Sequence, residues 1–187
     1  MTLQSMAVRQ NSVLVPAEFL GEDQKSAMIY AAEEQVALAA KKHLSEFALT
    51  LRDLIPTDLG MSNDAWNETH TATDNAYQDS AISSKSVGDE KFIVVYGVQD
   101  FSTHNVISKV RFDVGGSKVA QIDLSKLWAP GSSRTGFLLG PLIFTQNAVV
   151  TMEVYPRQGA SADGGVFSSQ IQLLGILCER DGTSLKA

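Results

Sequence analysis

The chain has 187 residues, of which 44% are hydrophobic and 19% are charged. This length is enough for one or two domains with a real core, and the composition excludes wholesale disorder. The formal net charge of −6 argues against a nucleic-acid binder, because neutralising phosphates requires a basic surface. The single cysteine, Cys178, excludes an internal disulfide.

The chain shows no signal for export and no membrane span. Its first ten residues, MTLQSMAVRQ, contain no apolar core of signal-peptide length. No stretch reaches the roughly 18 uncharged apolar residues that a membrane span requires. We therefore expect a soluble protein that is made in a cytoplasm.

The first predicted element is a long amphipathic helix over residues 22–55. Glu22 and Asp23 stand at its start, where the positive end of the helix dipole favours acidic side chains. Apolar residues then follow at steps of three and four, the spacing of one helix face, until Pro56 ends the pattern. A continuous helix of this length would be a rod of roughly 50 Å. Its apolar face needs a partner: the rest of the chain, another subunit or a lipid surface. The residues of this face are Ile29, Ala32, Val36, Ala40, Leu44, Phe47, Leu51 and Leu54.

Residues 57–90 are rich in Ser, Thr, Asn and Asp and have no sustained period. We predict a long polar loop or arm, and loops of more than about 15 residues are usually functional or disordered. The large aromatic residues of this segment, Trp66 and Tyr77, could anchor it on a neighbouring subunit. The simpler alternative is that both fold back onto their own domain.

From residue 91 onward the apolar period becomes two, which is typical of β-strands. The run VISKVRFDV alternates apolar and polar residues, and the turn at Gly115 and Gly116 leads into KVAQIDL as a hairpin partner. SKLW then predicts one helical turn, and Gly140-Pro141 predicts a bulge or a division into two strands. Further strands are predicted at KFIVVYGV, AVVTMEVY and QIQLLGILC. Roughly six or seven strands without intervening helices indicate an antiparallel sandwich or barrel.

Motifs for catalysis and for metal binding are missing from the sequence. His43, His70 and His104 have no partner at i+4, so we expect ordinary surface or boundary histidines and no metal site. There is no GxSxG elbow, and Cys178 lies in an apolar run where an inert buried thiol is expected. No glycine-rich turn precedes a helix as a phosphate-binding loop would. We predict no catalytic residue, no metal and no cofactor.

Three other functions stay open. A hydrolase would need carboxylates that face each other across a cleft, and Asp113, Asp123 and Glu153 are the candidates. A carbohydrate-binding or receptor-binding module would use the loops around residues 128–134 and 157–165. A membrane-surface helix is the third alternative, although the polar face of the predicted helix has few basic residues to attract anionic lipid.

The strand region resembles a family of viral proteins. The run VISKVRFDVGGSKVAQIDLSKLW is similar to a pattern in capsid proteins of tailless, membrane-containing double-stranded DNA bacteriophages and archaeal viruses. In that pattern an alternating strand turns at a glycine and leads into a short helical turn. FLLGPLIFTQNAVVTMEVYP and IQLLGILCERDG are similar to the last strands of those jelly rolls. The resemblance covers about residues 91–182 and implies two four-stranded sheets packed face to face, in subunits that form rings or trimers and tile a shell.

We therefore expect a mainly β fold, an antiparallel β-sandwich of viral jelly-roll type with a long N-terminal amphipathic helix. The expected domains are residues 1–56 (arm and helix), 57–90 (polar arm) and 91–187 (sandwich). The expected function is structural: self-assembly, without chemistry, into a viral capsid as a major or minor shell protein. Its partners would be copies of itself and other shell proteins, with no nucleic-acid sequence recognition, and its location would be the virion after synthesis in a host cytoplasm. The residues expected at interfaces are Val36, Leu44, Phe47, Leu51, Trp66 and Tyr77.

Overall fold

The structure is a computed structural model that describes residues 10–62, 66–71, 76–157 and 166–181. In this part of the chain, two β-sheets pack face to face, and the helix α1 (Glu22–Lys41) lies on the outside of one of them. The strands, in chain order, are β1 (Gln10–Asn11), β2 (Leu14–Pro16), β3 (Leu49–Asp53), β4 (Asn67–Thr71), β5 (Gln78–Asp79), β6 (Lys85–Ser86), β7 (Lys91–Asp100), β8 (Ile107–Val114), β9 (Ser117–Asp123), β10 (Thr135–Phe144), β11 (Val149–Pro156) and β12 (Val166–Arg180).

Each sheet has long strands at its centre and short strands at its edges. Sheet 1 has the order β1-β9-β8-β11-β5, with β6 also paired to β11. Sheet 2 has the order β2-β10-β7-β12-β3, with β4 also paired to β12. The described pairs are antiparallel, except that β1 runs parallel to β9. The predicted mainly β fold is therefore confirmed, with two antiparallel sheets as in a β-sandwich.

The main core fills the space between the two sheets. In β8 the alternating residues Val110 and Phe112 point inward, and in β11 Met152 and Val154 do the same. Because successive side chains of a strand point to opposite faces, this alternation buries one face of sheet 1 and leaves the other polar. The rings of Phe112 and Phe144 lie 5.8 Å apart and connect the two sheets.

A second, smaller apolar layer lies between α1 and the outer face of sheet 2. The helix contributes Ala32, Val36 and Ala40, each four residues from the next, and they pack with Phe92 and Val94 of β7. These helix side chains are small, so the helix backbone can approach the sheet closely. No helix of the described residues is long and apolar enough to span a membrane.

The prediction of one continuous helix over residues 22–55 is wrong. The helix begins at Glu22 as expected but ends at Lys41, and Leu49–Asp53 forms β3, which pairs with the C-terminal half of β12. The helix is therefore about 30 Å long instead of about 50 Å. The apolar spacing after Lys41 fits a helix, but the sequence LTLRD also alternates as a strand does. Pairing with β12 decides between the two, because tertiary context overrides local pattern.

The segment predicted as a polar loop, residues 57–90, contains strands in its described part. β4 pairs with the N-terminal half of β12, while β5 and β6 pair with β11. These strands are short and polar, so they lack the alternation by which strands are recognised in a sequence. Two local predictions are confirmed: Ser125–Trp128 forms a helical turn, and β10 is bulged between Phe137 and Leu142.

Candidate interaction surfaces

The predicted interface residues divide into buried and exposed ones. Val36 and Leu44 lie in the layer between α1 and sheet 2, and Trp66 lies in the main core. Phe47 and Leu51 are exposed, Leu51 by 43%. The three buried side chains are therefore part of their own chain's core. A role at a subunit interface stays a prediction for the two exposed ones.

Tyr77 is held against the outer face of sheet 1. Its hydroxyl donates a hydrogen bond to Gln121 Oε1 at 2.9 Å. Its ring lies 3.7 Å from the guanidinium of Arg111 and meets the ring of Tyr155 edge-on at 5.1 Å. Burial raises the pKa of the Tyr77 hydroxyl, so the side chain donates as a neutral phenol. Tyr77 thus fixes the segment before β5 to its own sheet.

One exposed apolar surface follows β3, at one edge of sheet 2. Leu51 lies within the strand, Phe47 precedes it and Ile55 follows it, and all three side chains are exposed. The guanidinium of Arg180 covers one face of the Phe47 ring at 3.6 Å, so Phe47 offers only the rest of its surface. β3 pairs with β12 on one side, and no strand of the described residues pairs with its other side. Such an edge can accept a further strand through its backbone groups. We call Phe47, Leu51 and Ile55 the β3 edge surface.

A second exposed apolar surface follows β2, at the opposite edge of the same sheet. Phe19 is 75% exposed and Leu139 is 64% exposed. Val13 is also exposed, and its carbonyl accepts the backbone hydrogen bond of Leu139 at 3.1 Å. An apolar groove of about 520 Å³ lies beside β2, and Phe19, Lys126 and Ala129 also line it. We call Val13, Phe19 and Leu139 the β2 edge surface.

A polar groove of about 470 Å³ lies between β4, the N-terminal half of β12 and the segment that follows β7. Phe101, which is 47% exposed, contributes an aromatic ring to it. Glu68, Ser102 and Ser169 also line the groove, but their side chains are mostly buried. The remaining lining consists of amide and hydroxyl side chains, from Asn67, Thr69, Thr103, Ser168 and Gln170.

A buried hydrogen-bond network holds the segment that follows β7. The Ser102 backbone N–H donates to Asp100 Oδ1 at 2.9 Å, and Ser102 Oγ accepts from the Gln170 N–H at 2.9 Å. The Ser102 carbonyl accepts from Arg134 Nη1 at 2.9 Å, and Asp100 Oδ2 accepts from Trp128 Nε1 at 2.7 Å. Asp100 is completely buried, and a buried carboxylate is tolerated only when hydrogen bonds compensate its lost hydration. The network therefore fixes this wall of the groove.

The wall formed by β4 and β12 is braced by a second buried cluster. His70 Nε2 lies 2.7 Å from Ser169 Oγ and 3.7 Å from Glu68 Oε2. Glu68 Oε2 also accepts from the Ala81 N–H at 3.0 Å, which connects β4 to the segment after β5. Burial raises the pKa of Glu68 and lowers that of His70. His70, expected at the surface or its boundary, is thus a buried neutral side chain.

The cluster has the residue types of a catalytic triad but a different geometry. A triad requires its carboxylate on the imidazole nitrogen that faces away from the serine. Here both Ser169 and Glu68 lie beside the same nitrogen, Nε2 of His70. The carboxylate therefore does not orient the ring toward the serine, and the cluster acts as a brace for the groove.

The carboxylates of the hydrolase alternative each have their own partners on the outer face of sheet 1. Glu153 forms ion pairs with Arg111 at 2.6 Å and Lys118 at 3.2 Å, and the hydrogen bond from Arg111 holds the pKa of Glu153 low. Asp113 and Asp123 accept hydrogen bonds from backbone N–H groups of the turns that follow their strands. These contacts stabilise the sheet and its turns.

The loops of the carbohydrate alternative lie only partly within the described residues. Residues 158–165 lie outside the described residues. In the other loop, the guanidinium of Arg134 covers the ring of Trp128 at 4.0 Å, so that ring is engaged within the chain. The groove beside Phe101 was missed by sequence analysis, because its lining residues are distant in the chain and carry no motif.

Side chains for a metal site do not gather in the described part of the chain, which has no cluster of three or more His, Cys, Asp or Glu placed to hold an ion. No protein-family model and no curated protein matches this sequence. The two edge surfaces and the groove are therefore the candidate functional surfaces of the described residues.

Proposed function

We propose that this protein is a structural subunit that assembles with copies of itself into a shell, as viral jelly-roll capsid proteins do. The observation that carries the proposal is the pair of exposed apolar surfaces at the two opposite edges of sheet 2. Large apolar side chains are costly to leave in water, and a neighbour that covers several of them at one sheet edge removes that cost. Two such surfaces on one sheet favour a protein that is covered on both sides by neighbours.

The proposed occupant of each surface is the other surface of a second copy. A contact between the β2 edge surface of one copy and the β3 edge surface of the next would bury apolar side chains on both partners. It would also let two edge strands pair across the boundary, as in strand addition. The contact is heterologous, so each copy keeps a free surface for the next one, and the assembly grows until its rotation closes it into a ring. Rings of this kind would be the units that tile the proposed shell.

A jelly-roll topology is part of the proposal, and the strand order supports it. Successive long strands alternate between the sheets except at the β8–β9 hairpin: β7 is in sheet 2, β8 and β9 in sheet 1, β10 in sheet 2, β11 in sheet 1 and β12 in sheet 2. With β3 and β4 taken as one position beside β12, and β5 and β6 as one beside β11, each sheet has the four positions of a jelly roll. β1 and β2 then extend the sheets at the far edges.

The viral assignment rests on the resemblance of residues 91–182 to capsid proteins, together with this strand order. The virion as the location, and other shell proteins as further partners, belong to the same proposal. A protein with this role requires no chemistry, and its surface would be selected for contact with neighbours.

The experiment is the native mass of the purified chain across concentration and salt, with negative-stain electron microscopy of the same samples. We expect rings, trimers or shell fragments from the unaltered chain. Leu51→Asp and Phe19→Asp should each reduce the assemblies, since each places a charge in one edge surface. Leu38→Asp, at an exposed position of α1, is the matched control and should assemble normally. A strict monomer at every concentration, or equal assembly by all variants, would overturn the proposal.

A further inference from the structure

We infer that the polar groove between β4, β12 and the segment after β7 binds a neutral, polyhydroxylated ligand of mono- or disaccharide size, with Phe101 as the stacking ring. This inference goes beyond assembly and does not depend on it. The groove volume of about 470 Å³ is within the range of small-molecule sites. The lining of the groove, the exposed residue Phe101 and the bracing of both walls each favour this class of ligand.

The lining of the groove matches hydroxyl groups better than charged ones. The amides of Asn67 and Gln170 and the hydroxyls of Thr69, Thr103 and Ser168 each can both donate and accept hydrogen bonds. A sugar hydroxyl has the same dual capacity. The described lining contains no lysine or arginine that would attract a phosphate or a carboxylate. The one charged lining residue, Glu68, has a side chain only 9% exposed.

Phe101 gives the groove an apolar face beside its polar groups. Phe101 is 47% exposed as a residue, although its backbone is held by a hydrogen bond from its N–H to the Gln170 carbonyl at 2.8 Å. Leaving aromatic surface in water is unfavourable, so a ring held in this position favours a partner that covers it. One face of a pyranose ring presents C–H groups while its edge presents hydroxyls. Phe101 would pack on the C–H face, and Gln170 and Thr103 would reach the edge.

The bracing of the groove indicates a preorganised site. The 101–103 segment is fixed by the network around buried Asp100. Arg134, which donates to the Ser102 carbonyl in that network, has a φ of 56°, a left-handed conformation that costs a non-glycine residue energy. The opposite wall is fixed by the His70–Ser169 contact. Binding sites need this kind of support, because a ligand gains little from side chains that must first be ordered.

The test uses saturation-transfer NMR on the full chain, with glucose, galactose, mannose and N-acetylglucosamine as the probes. We expect saturation transfer from the protein to at least one of these sugars. Phe101→Ala and Gln170→Ala should each weaken its Kd about tenfold, equivalent to about 1.4 kcal/mol. Tyr30→Ala removes an exposed ring on α1 and is the matched control, which should leave the Kd unchanged.

No transfer to any of the four sugars would overturn the inference. Equal saturation transfer in the unaltered chain and in both variants, Phe101→Ala and Gln170→Ala, would also overturn it. The sugar would then bind elsewhere or without specificity. The native mass of Phe101→Ala separates this inference from the proposed assembly, since the substitution leaves both edge surfaces intact. Assembly without sugar binding in that variant is the expected result.

Discussion

Glu179 in β12 has no exposed surface, and its carboxylate lies between two cations. Its Oε1 is 3.5 Å from Arg52 Nε, and its Oε2 is 3.6 Å from Lys91 Nζ. These distances are too long for good hydrogen bonds, and neither oxygen has a hydrogen-bond partner. The two ion pairs must therefore compensate the lost hydration of the carboxylate. A charge in this position stabilises the fold only while both cations remain.

We expect Lys91→Met to destabilise the chain by about 2 kcal/mol, because Glu179 would keep only one of its cations. Adding Glu179→Met to the same chain should recover most of the loss, since an apolar pair can replace a buried ion pair. Urea unfolding measures both changes. Lys42→Met, at an exposed position, is the control. A double variant that is less stable than Lys91→Met alone would contradict this account.

His70 should make the fold sensitive to mild acid. Burial lowers its pKa, so below its unfolded pKa of about 6.5 the unfolded chain binds a proton that the folded chain does not, and stability falls as the pH falls. The effect of Glu68 on the pH dependence of stability has the opposite sign. Burial raises its pKa, so its contribution is present below its unfolded pKa and is lost as the pH rises through the folded one. The histidine effect is expected from its unfolded pKa of about 6.5 downward.

We expect His70→Gln to lose less stability than the unaltered chain between about pH 7.5 and pH 5.5. Glutamine cannot take up the proton but can still bond to Ser169. The urea midpoint at several pH values measures the difference. His104→Gln, at an exposed position, should follow the unaltered chain. Stability that rises on acidification in the unaltered chain but not in His70→Gln would mean that protonated His70 is stabilised by Glu68 instead.

At the scale of elements, sheet 2 is shaped by a bulge at its centre. In β7, Val95 pairs with Gly175 of β12 and Gly97 pairs with Leu174. Gly175 and Leu174 are adjacent in β12, so Tyr96 is an extra residue in β7. A bulge of this kind increases the local twist and changes which face the following side chains occupy. Tyr96 packs in the layer under α1, so the bulge is part of how the sheet receives the helix.

Gly175→Ala should destabilise the chain by about 1–3 kcal/mol through overpacking. A Cβ at this position would lie 2.5 Å from the Val94 carbonyl oxygen and 2.9 Å from Leu54 Cδ2, and the backbone atom cannot move aside. The control is Gly88→Ala, where the nearest atom is the flexible Lys91 Cδ at 3.1 Å. The urea midpoint should fall for Gly175→Ala and change little for Gly88→Ala.

The elements that could be predicted from the sequence are those whose apolar pattern matches their environment. The long strands were recognisable because at least one face of each is apolar and buried. The end of α1 was not, because Leu44, Phe47 and Leu51 continue its spacing although Leu51 belongs to a strand. β4 has the sequence NETHT, and its inward side chains are Glu68 and His70. Its buried face is therefore polar, so the sequence shows no alternation of apolar and polar residues.

Site residues could be predicted only where the neighbouring sequence indicates that their side chains are exposed. Phe47 and Leu51 were proposed as contact residues and are exposed, whereas Trp66 is in the core. The groove could not be anticipated, because pairing of β4 with β12 joins Thr69 to Ser168, which are distant in the chain. Phe101 then joins them through a bond from its backbone N–H to the Gln170 carbonyl. Such a site depends on strand pairing, which local sequence does not specify.

At the scale of the whole molecule, the two edge surfaces predict a directional assembly. Leu51→Asp keeps an intact β2 edge surface, and Phe19→Asp keeps an intact β3 edge surface. An equimolar mixture should therefore form dimers of one copy of each variant and nothing larger, because each dimer has only damaged surfaces left. Native mass spectrometry resolves this, with each variant alone as the monomeric control. A two-fold contact between like edges would instead let one variant dimerise alone.

The position of β12 also bears on when this chain can fold during its synthesis. β12 is the last described strand, yet it is a central strand of sheet 2 and pairs with β3, β4 and β7. β3 and β4 pair only with β12 among the described strands, so they must wait for residues 166–180 before they have a neighbour, and such non-local pairing is slow. A nascent chain that lacks β12 therefore has no finished β3 edge surface to offer. Chains growing side by side on one messenger RNA would be unable to associate correctly until each had been translated past residue 180.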